Sequence, residues 1–229
     1  MIYFYTGRPG NGKSLHMAQE IDKALRSGKN VVANFEINEN SYANFKHKEK
    51  LGKFIYQSNF YWLHNAYKNR DLKRYSYLDG LYNYALQFHK RNSRGQIIEH
   101  QTLLCLDECQ ELFNSRTWNR SDRLEWCSFF RQHRKYGFDV ILVSQDDKVV
   151  DKQIRSILEY EVEHRCVNNY KGAGLFFGLL AGGKLFVAIT RWYAKTGKDS
   201  KIKSCFFKGK KRYYEFYDSY QVFHSAEQA

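Results

Sequence analysis

The stretch GRPGNGKS, Gly7 to Ser14, stands directly behind the apolar run Ile2-Tyr3-Phe4-Tyr5-Thr6 and ahead of a helical pattern. It satisfies GxxxxGK[ST] in full, the pattern of a phosphate-binding loop. Polyphosphate oxygens need many N–H donors converging on one point. Glycines let a backbone curl that tightly and approach that closely. Gly7, Arg8, Pro9, Gly10, Asn11 and Gly12 would form the curl, and the helix behind them would offer its positive end. Lys13 would reach the β- and γ-phosphates of ATP, and Ser14 would ligate Mg2+. The alternative, a chance match in a turn, fits poorly with a strand before the motif and a helix after it.

Reading outward, Leu15, Ala18, Ile21 and Leu25 recur at helical spacing until Gly28, a C-terminal cap. NVVANF (30–35) reads as a second strand. Strand, phosphate loop, helix, strand opens a parallel α/β sheet. Residues 36–100 read as a helical insertion in two pieces, about 59–73 and 78–91, with NSRGQ (92–96) an exposed loop. TLLCLDE (102–108) reads as a buried strand ending in two acids, and 121–137 as a helix capped by Ser121 and closed by Gly137. DVILVSQ (139–145) is a further buried strand, DKQIRSI (151–157) a short helix, and YEVEHRCV (160–167) an alternating strand. The rest reads as β-rich: a hairpin over 174–193 turning at Gly182-Gly183, then KSCFFKG and RYYEFYDSY. The expected division is a core over 1–170, containing the 36–100 insertion, and a β-rich basic extension over 171–229.

A phosphate loop needs a second acid to hold the magnesium shell. Asp107, at the end of LLCL, would bind Mg2+ directly or through water. Glu108 would polarise the attacking water, the role of a hydrolase base. Alone, the pair reads as a polar helix cap; with a complete phosphate loop upstream it reads as part of one site. Gln145 would emerge at the same sheet edge, to sense the γ-phosphate or orient water. Arg131 and Arg134 in RQHRKYG share a helix face, and one of them would serve a neighbouring subunit's nucleotide as an arginine finger. A solvated basic helix end is the equal alternative.

The chain has 229 residues and a formal net charge of +13. The excess is clustered: Lys195, Lys198, Lys201, Lys203, Lys208, Lys210, Lys211 and Arg212 stand against Asp199 alone. Such a surface suits a polyanion, either nucleic acid or an acidic membrane. The five cysteines form no zinc-type CxxC pair, and Cys105 in its apolar run reads as a buried thiol, as in a reducing compartment. MIYFYTGRPG has no signal-peptide pattern. AGLFFGLLAGGKLFVAI (173–189) is interrupted by Gly182, Gly183 and Lys184, and falls short of the ~20 residues of a membrane span.

Taken together, IYFYTGRPGNGKS, LLCLDECQELF, FFRQHRKYGFDVILVSQD and the late YDSYQVF resemble the zonular occludens toxin (Zot) family, which includes the gene I assembly proteins of filamentous phages. The resemblance covers nearly the whole chain. It implies a RecA-like P-loop NTPase core with a mostly parallel central sheet, related to FtsK/HerA motors. It implies ATP and Mg2+ as cofactors and an ATPase motor driving phage assembly and extrusion of single-stranded DNA. It also implies phage coat and assembly proteins as partners, and a homo-oligomer, a hexamer favoured. Lys13, Ser14, Asp107 and Glu108 match the family's nucleotide and magnesium positions, and Gln145 a sensor position. Members similar to the phage proteins carry a transmembrane helix after this domain, which the residues up to Ala229 do not show; the expected location is the cytoplasmic face of the host inner membrane. A viral genome-packaging ATPase of the same superfamily, and a nucleotide-dependent scaffold that moves nothing, are the competing readings.

Overall fold

The structure, a computed structural model, describes residues 1–38, 50–59, 61, 78–117, 119–120, 122–170, 183–195 and 197–217. Among them the strands are β1 (Ile2–Thr6), β2 (Asn30–Ala33), β3 (Phe54–Tyr56), β4 (Thr102–Leu106), β5 (Phe138–Val143), β6 (Tyr160–Cys166), β7 (Leu185–Trp192) and β8 (Lys201–Lys208). The helices are α1 (Lys13–Arg26), α2 (Asp79–Phe88), α3 (Arg123–Gln132), the single turn α4 (Lys152–Arg155) and α5 (Lys211–Phe216).

All these strands join one sheet in the order β3-β2-β4-β5-β1-β6-β7-β8. From β3 to β6 every pairing is parallel, and β7 and β8 then add antiparallel. A strand therefore lies between the phosphate-loop strand β1 and the strand β4 that leads to Asp107, which is the RecA-like arrangement.

The central strands are apolar throughout because both faces are covered. Ile2, Phe4, Leu104, Leu106, Val140 and Leu142 face one core, packed with Leu81 and Ala85 of α2 and with Trp126, Phe129 and Phe130 of α3. The intervening Tyr5, Leu103, Cys105, Ile141 and Val143 face the other, against Leu15, Met17, Ala18, Ile21 and Leu25 of α1. The strand period of two thus assigns each residue its layer.

The structure corrects the sequence reading at several places. The 36–100 segment contributes β3 to the sheet; three residues on a parallel edge are too few to show a period. The helix expected at 78–91 runs Asp79–Phe88, and the one expected at 59–73 lies almost wholly outside the described residues. The helix expected over 121–137 is shorter, ending at Gln132, with turns leading to Gly137 at φ 77°. Its cap residue is Asp122, whose carboxylate is held by Arg120 and by Trp126 Nε1 at 3.2 Å; Ser121 lies outside the described residues. Of the hairpin expected over 174–193, the second arm is the strand β7, and the first arm lies outside the described residues. Both edges of β7 are occupied, by β6 and by β8, and residues 171–182 lie outside the described residues. Finally, the tyrosine-rich RYYEF stretch is helical, not β: Tyr213 and Phe216, three apart, turn one face of α5 onto α1.

Candidate nucleotide site

Parallel strands all end at the same edge, and the loops there converge. β1 runs into Gly7–Gly12, β4 into Asp107-Glu108 and β5 into Ser144-Gln145. Gly7 and Gly12 are required by geometry. Gly12 sits at φ 89°, and a Cβ there would lie 2.7 Å from the Phe186 ring of β7. Gly7 sits at φ 137°, and a Cβ there would lie 2.6 Å from the His164 carbonyl of β6. β6 and β7 are therefore the backing of the loop.

Two histidines complete that backing. His164 is fully buried, and its Nδ1 donates to the Thr6 carbonyl at 3.2 Å. Its Nε2 then accepts from Nδ1 of His16, 2.9 Å away on α1, the protons being assigned from this network. His16 stacks between Tyr5 and Phe207. Burial pushes both imidazoles below the ordinary histidine value. Asn11 adds a bond from Nδ2 to the His164 carbonyl at 3.0 Å, while Arg8, Pro9 and Gly10 are exposed.

Lys13 is 8 % exposed, and its Nζ donates to the Gly7 carbonyl at 2.7 Å. Burial lowers its pKa, opposed by the charges of Asp107 and Glu108. Ser14 Oγ donates to Asp107 Oδ2 at 3.3 Å, so β4 reaches the loop across the intervening β5. Burial raises the Asp107 carboxyl, opposed most by a hydrogen bond from the Tyr217 hydroxyl, 2.9 Å from the same Oδ2. The Asp107 backbone is clamped by Asn34 at the end of β2: its amide donates to Asn34 Oδ1 and its carbonyl accepts from Nδ2, both at 2.8 Å.

Glu108 adopts φ 44°, ψ 48°, a left-handed conformation that costs a side-chain-bearing residue about 1–3 kcal/mol. It points the carboxylate into the cleft, where Oε1 accepts from Gln145 Nε2 at 3.4 Å. The cleft has a volume of 410 Å³, within the range of small-molecule sites, and its walls include Gly12, Lys13, Ser14, Glu108, Phe186 and Tyr214.

Lys13, Ser14, Asp107, Glu108 and Gln145 thus come together. Arg131 and Arg134 do not join them. They lie at the end of α3 that leads into the start of β5, the opposite sheet edge, and Arg134 pairs with Glu159 at 2.8 Å. Asn34, His16 and His164 carry no role in the sequence reading, and Tyr217 enters it only as the first residue of the late YDSYQVF stretch. For His164 a signal existed: alternation in YEVEHRCV places it on the buried face with Val162 and Cys166.

The donor set fits a magnesium nucleotide: glycines that no side chain could replace, a buried ammonium, a hydroxyl facing a carboxylate, and a second carboxylate alongside. A RecA-like sheet with this loop at its strand ends defines a P-loop protein. The sequence profile of the Zonular occludens toxin (Zot) family matches residues 1–169, and the chain belongs to that family. It is 27% identical to the Gene 1 protein of Enterobacteria phage M13, over 98% of this chain and 60% of that protein. It is 28% identical to the Gene 1 protein of Salmonella phage IKe, over 80% and 46%. The chain therefore spans about half to three fifths of the length of these relatives. Among solved structures, the N-terminal domain of zonular occludens toxin from Neisseria meningitidis aligns over 95% of this chain and 98% of that one, at 16% identity and a TM-score of 0.49.

Proposed function

We propose that the chain is the ATP-hydrolysing motor of a phage assembly system, driving single-stranded DNA extrusion at the host inner membrane. The observation that carries the site reading is the meeting of Ser14, Asp107, Glu108 and Gln145 at the Lys13 loop. Zot family membership and the relation to phage Gene 1 proteins support the assembly role. The loop amides and Lys13 bind and neutralise the phosphates, with Lys13 leaving the Gly7 carbonyl to do so. Ser14 and Asp107 would hold Mg2+, which when bound would neutralise phosphate charge. Glu108 takes the proton of the attacking water, and Gln145 orients that water. Residues 1–170 form the ATPase core and 171–229 an extension, of which strands β7 and β8 join the sheet. Among the described residues no helix is long and apolar enough to cross a membrane. Residence at the membrane face, homo-oligomerisation with Arg131 or Arg134 acting in trans, and phage-protein partners belong to the same proposal.

The test is the ATPase rate of the chain and of Lys13→Ala, with and without single-stranded DNA. The motor reading expects a Lys13-dependent rate that rises with DNA. A Lys13-dependent rate flat across the DNA titration contradicts the DNA role. Nucleotide binding without turnover favours the scaffold.

A further inference from the structure

The late sequence motif YDSY begins at Tyr217, to which the proposed hydrolytic scheme assigns no part in the nucleotide site. That residue reaches the centre of the site. The Tyr217 hydroxyl donates to Asp107 Oδ2 at 2.9 Å, the same oxygen that accepts from Ser14 at 3.3 Å. Asp107 Oδ1 is taken separately, by the Glu108 amide at 2.9 Å. The carboxylate therefore has one oxygen in the backbone turn and one between a serine and a tyrosine.

The tyrosine is a fixed donor. Its side chain is buried, and its ring packs on Phe35 with centroids 4.2 Å apart. Phe216 beside it is buried, and the Phe216 carbonyl accepts from the Asn38 amide at 2.9 Å. One turn back, Arg212 pairs with the buried Asp22 of α1, and the Tyr213 hydroxyl donates to the same carboxylate at 3.4 Å. A carboxylate oxygen accepts more than one hydrogen bond, so a fixed tyrosine leaves acceptor capacity on the side of Ser14.

We propose that Tyr217 is a positioning residue for the cation site: its hydroxyl fixes the rotamer of Asp107 so that Oδ2 faces Ser14. This rests on the reading of Ser14 and Asp107 as the magnesium-holding pair. Outer partners that orient ligating carboxylates contribute strongly to metal affinity, and their loss typically weakens it ~10–100-fold. The cation site is then completed from α5 and the residue behind it, far along the chain from the phosphate loop.

The experiment measures binding of a fluorescent ATP analogue to the full chain across a Mg2+ titration, with EDTA as the metal-free baseline. Tyr217→Phe keeps the ring and removes the hydroxyl. The expected result is a rise of about 10-fold in the Mg2+ concentration for half-maximal binding, with metal-free affinity unchanged. Tyr193→Phe, which loses a hydroxyl bond to the Asp147 carboxylate outside the cleft, leaves the midpoint where it was. Phe35→Leu loosens the seat of the ring and gives a smaller rise; it carries the test if Tyr217→Phe does not fold. An unchanged midpoint in the folded variant means the tyrosine only packs, and a lowered one means it competes with the cation; either overturns the assignment. Absence of Mg2+-dependent binding in the wild-type chain is a separate result, which overturns the nucleotide reading itself and this assignment with it.

Discussion

Glu108 sets stability against its proposed chemistry in a single residue. Its left-handed backbone favours glycine, yet its carboxylate is the one that faces Gln145 across the cleft. Glu108→Gly is expected to raise stability by roughly 1 kcal/mol in chemical denaturation while removing turnover. A residue chosen only for folding would not show that opposition. Asn34 is the reverse case, with structure and site served together. Asn34→Ala leaves the buried amide and carbonyl of Asp107 without their side-chain partners, and is expected to cost on the order of 2 kcal/mol and to weaken Mg2+-dependent binding. Lys13, Asp107 and Glu108 were legible in the sequence because a loop pattern and an acid pair after an apolar run each have a local signature. Asn34 and Tyr217 were not. An asparagine ending a strand and a tyrosine among tyrosines acquire meaning only when the sheet brings them to Asp107.

At the scale of elements, the phosphate loop is held from behind by β6 and β7. Gly7→Ala and Gly12→Ala should both destabilise the fold, since each added Cβ meets a neighbour within 3 Å and each φ is positive. Gly10→Ala meets open space and should cost less, a ranking that thermal melts would check. The His16–His164 pair adds a pH dependence. Both groups titrate lower in the folded chain than in the unfolded one, so the unfolded state binds more protons once pH falls below about 6.5. The destabilisation is absent above that value and grows as pH is lowered from it. His89 and His133, also lowered by burial, contribute in the same direction. His16→Gln should therefore make the loss of Tm between pH 7 and 5 shallower without abolishing it. The buried strands β1, β4 and β5 were readable as apolar runs. β3 and the pairing of β7 were not, because a three-residue edge strand has no period and an antiparallel partner is a matter of topology. Helix α5 was misread because its tyrosines carry strand propensity, while burial of Tyr213 and Phe216 against α1 decided the outcome.

For the whole molecule, the charge of +13 belongs partly to an edge. Among the described residues β8 is the edge strand, with Lys201, Lys203 and Lys208 exposed, an arrangement that also discourages edge-to-edge pairing. Some of the basic cluster is already committed: Arg212 to Asp22, Lys211 to Glu215 and Lys195 over the Trp192 ring. If β8 follows a DNA backbone, Lys201→Glu with Lys203→Glu should lower DNA stimulation of the ATPase and flatten its salt dependence, leaving the DNA-free rate unchanged.

The central claim is that Glu108 is the base of a hydrolytic site built around Lys13 and Asp107. The most direct measurement compares Glu108→Gln with the wild-type chain in two readouts, affinity for magnesium ATP and turnover rate. The account predicts unchanged affinity and a rate lower by about 10²–10⁴-fold. Turnover that survives in Glu108→Gln, with the nucleotide still bound, would contradict it.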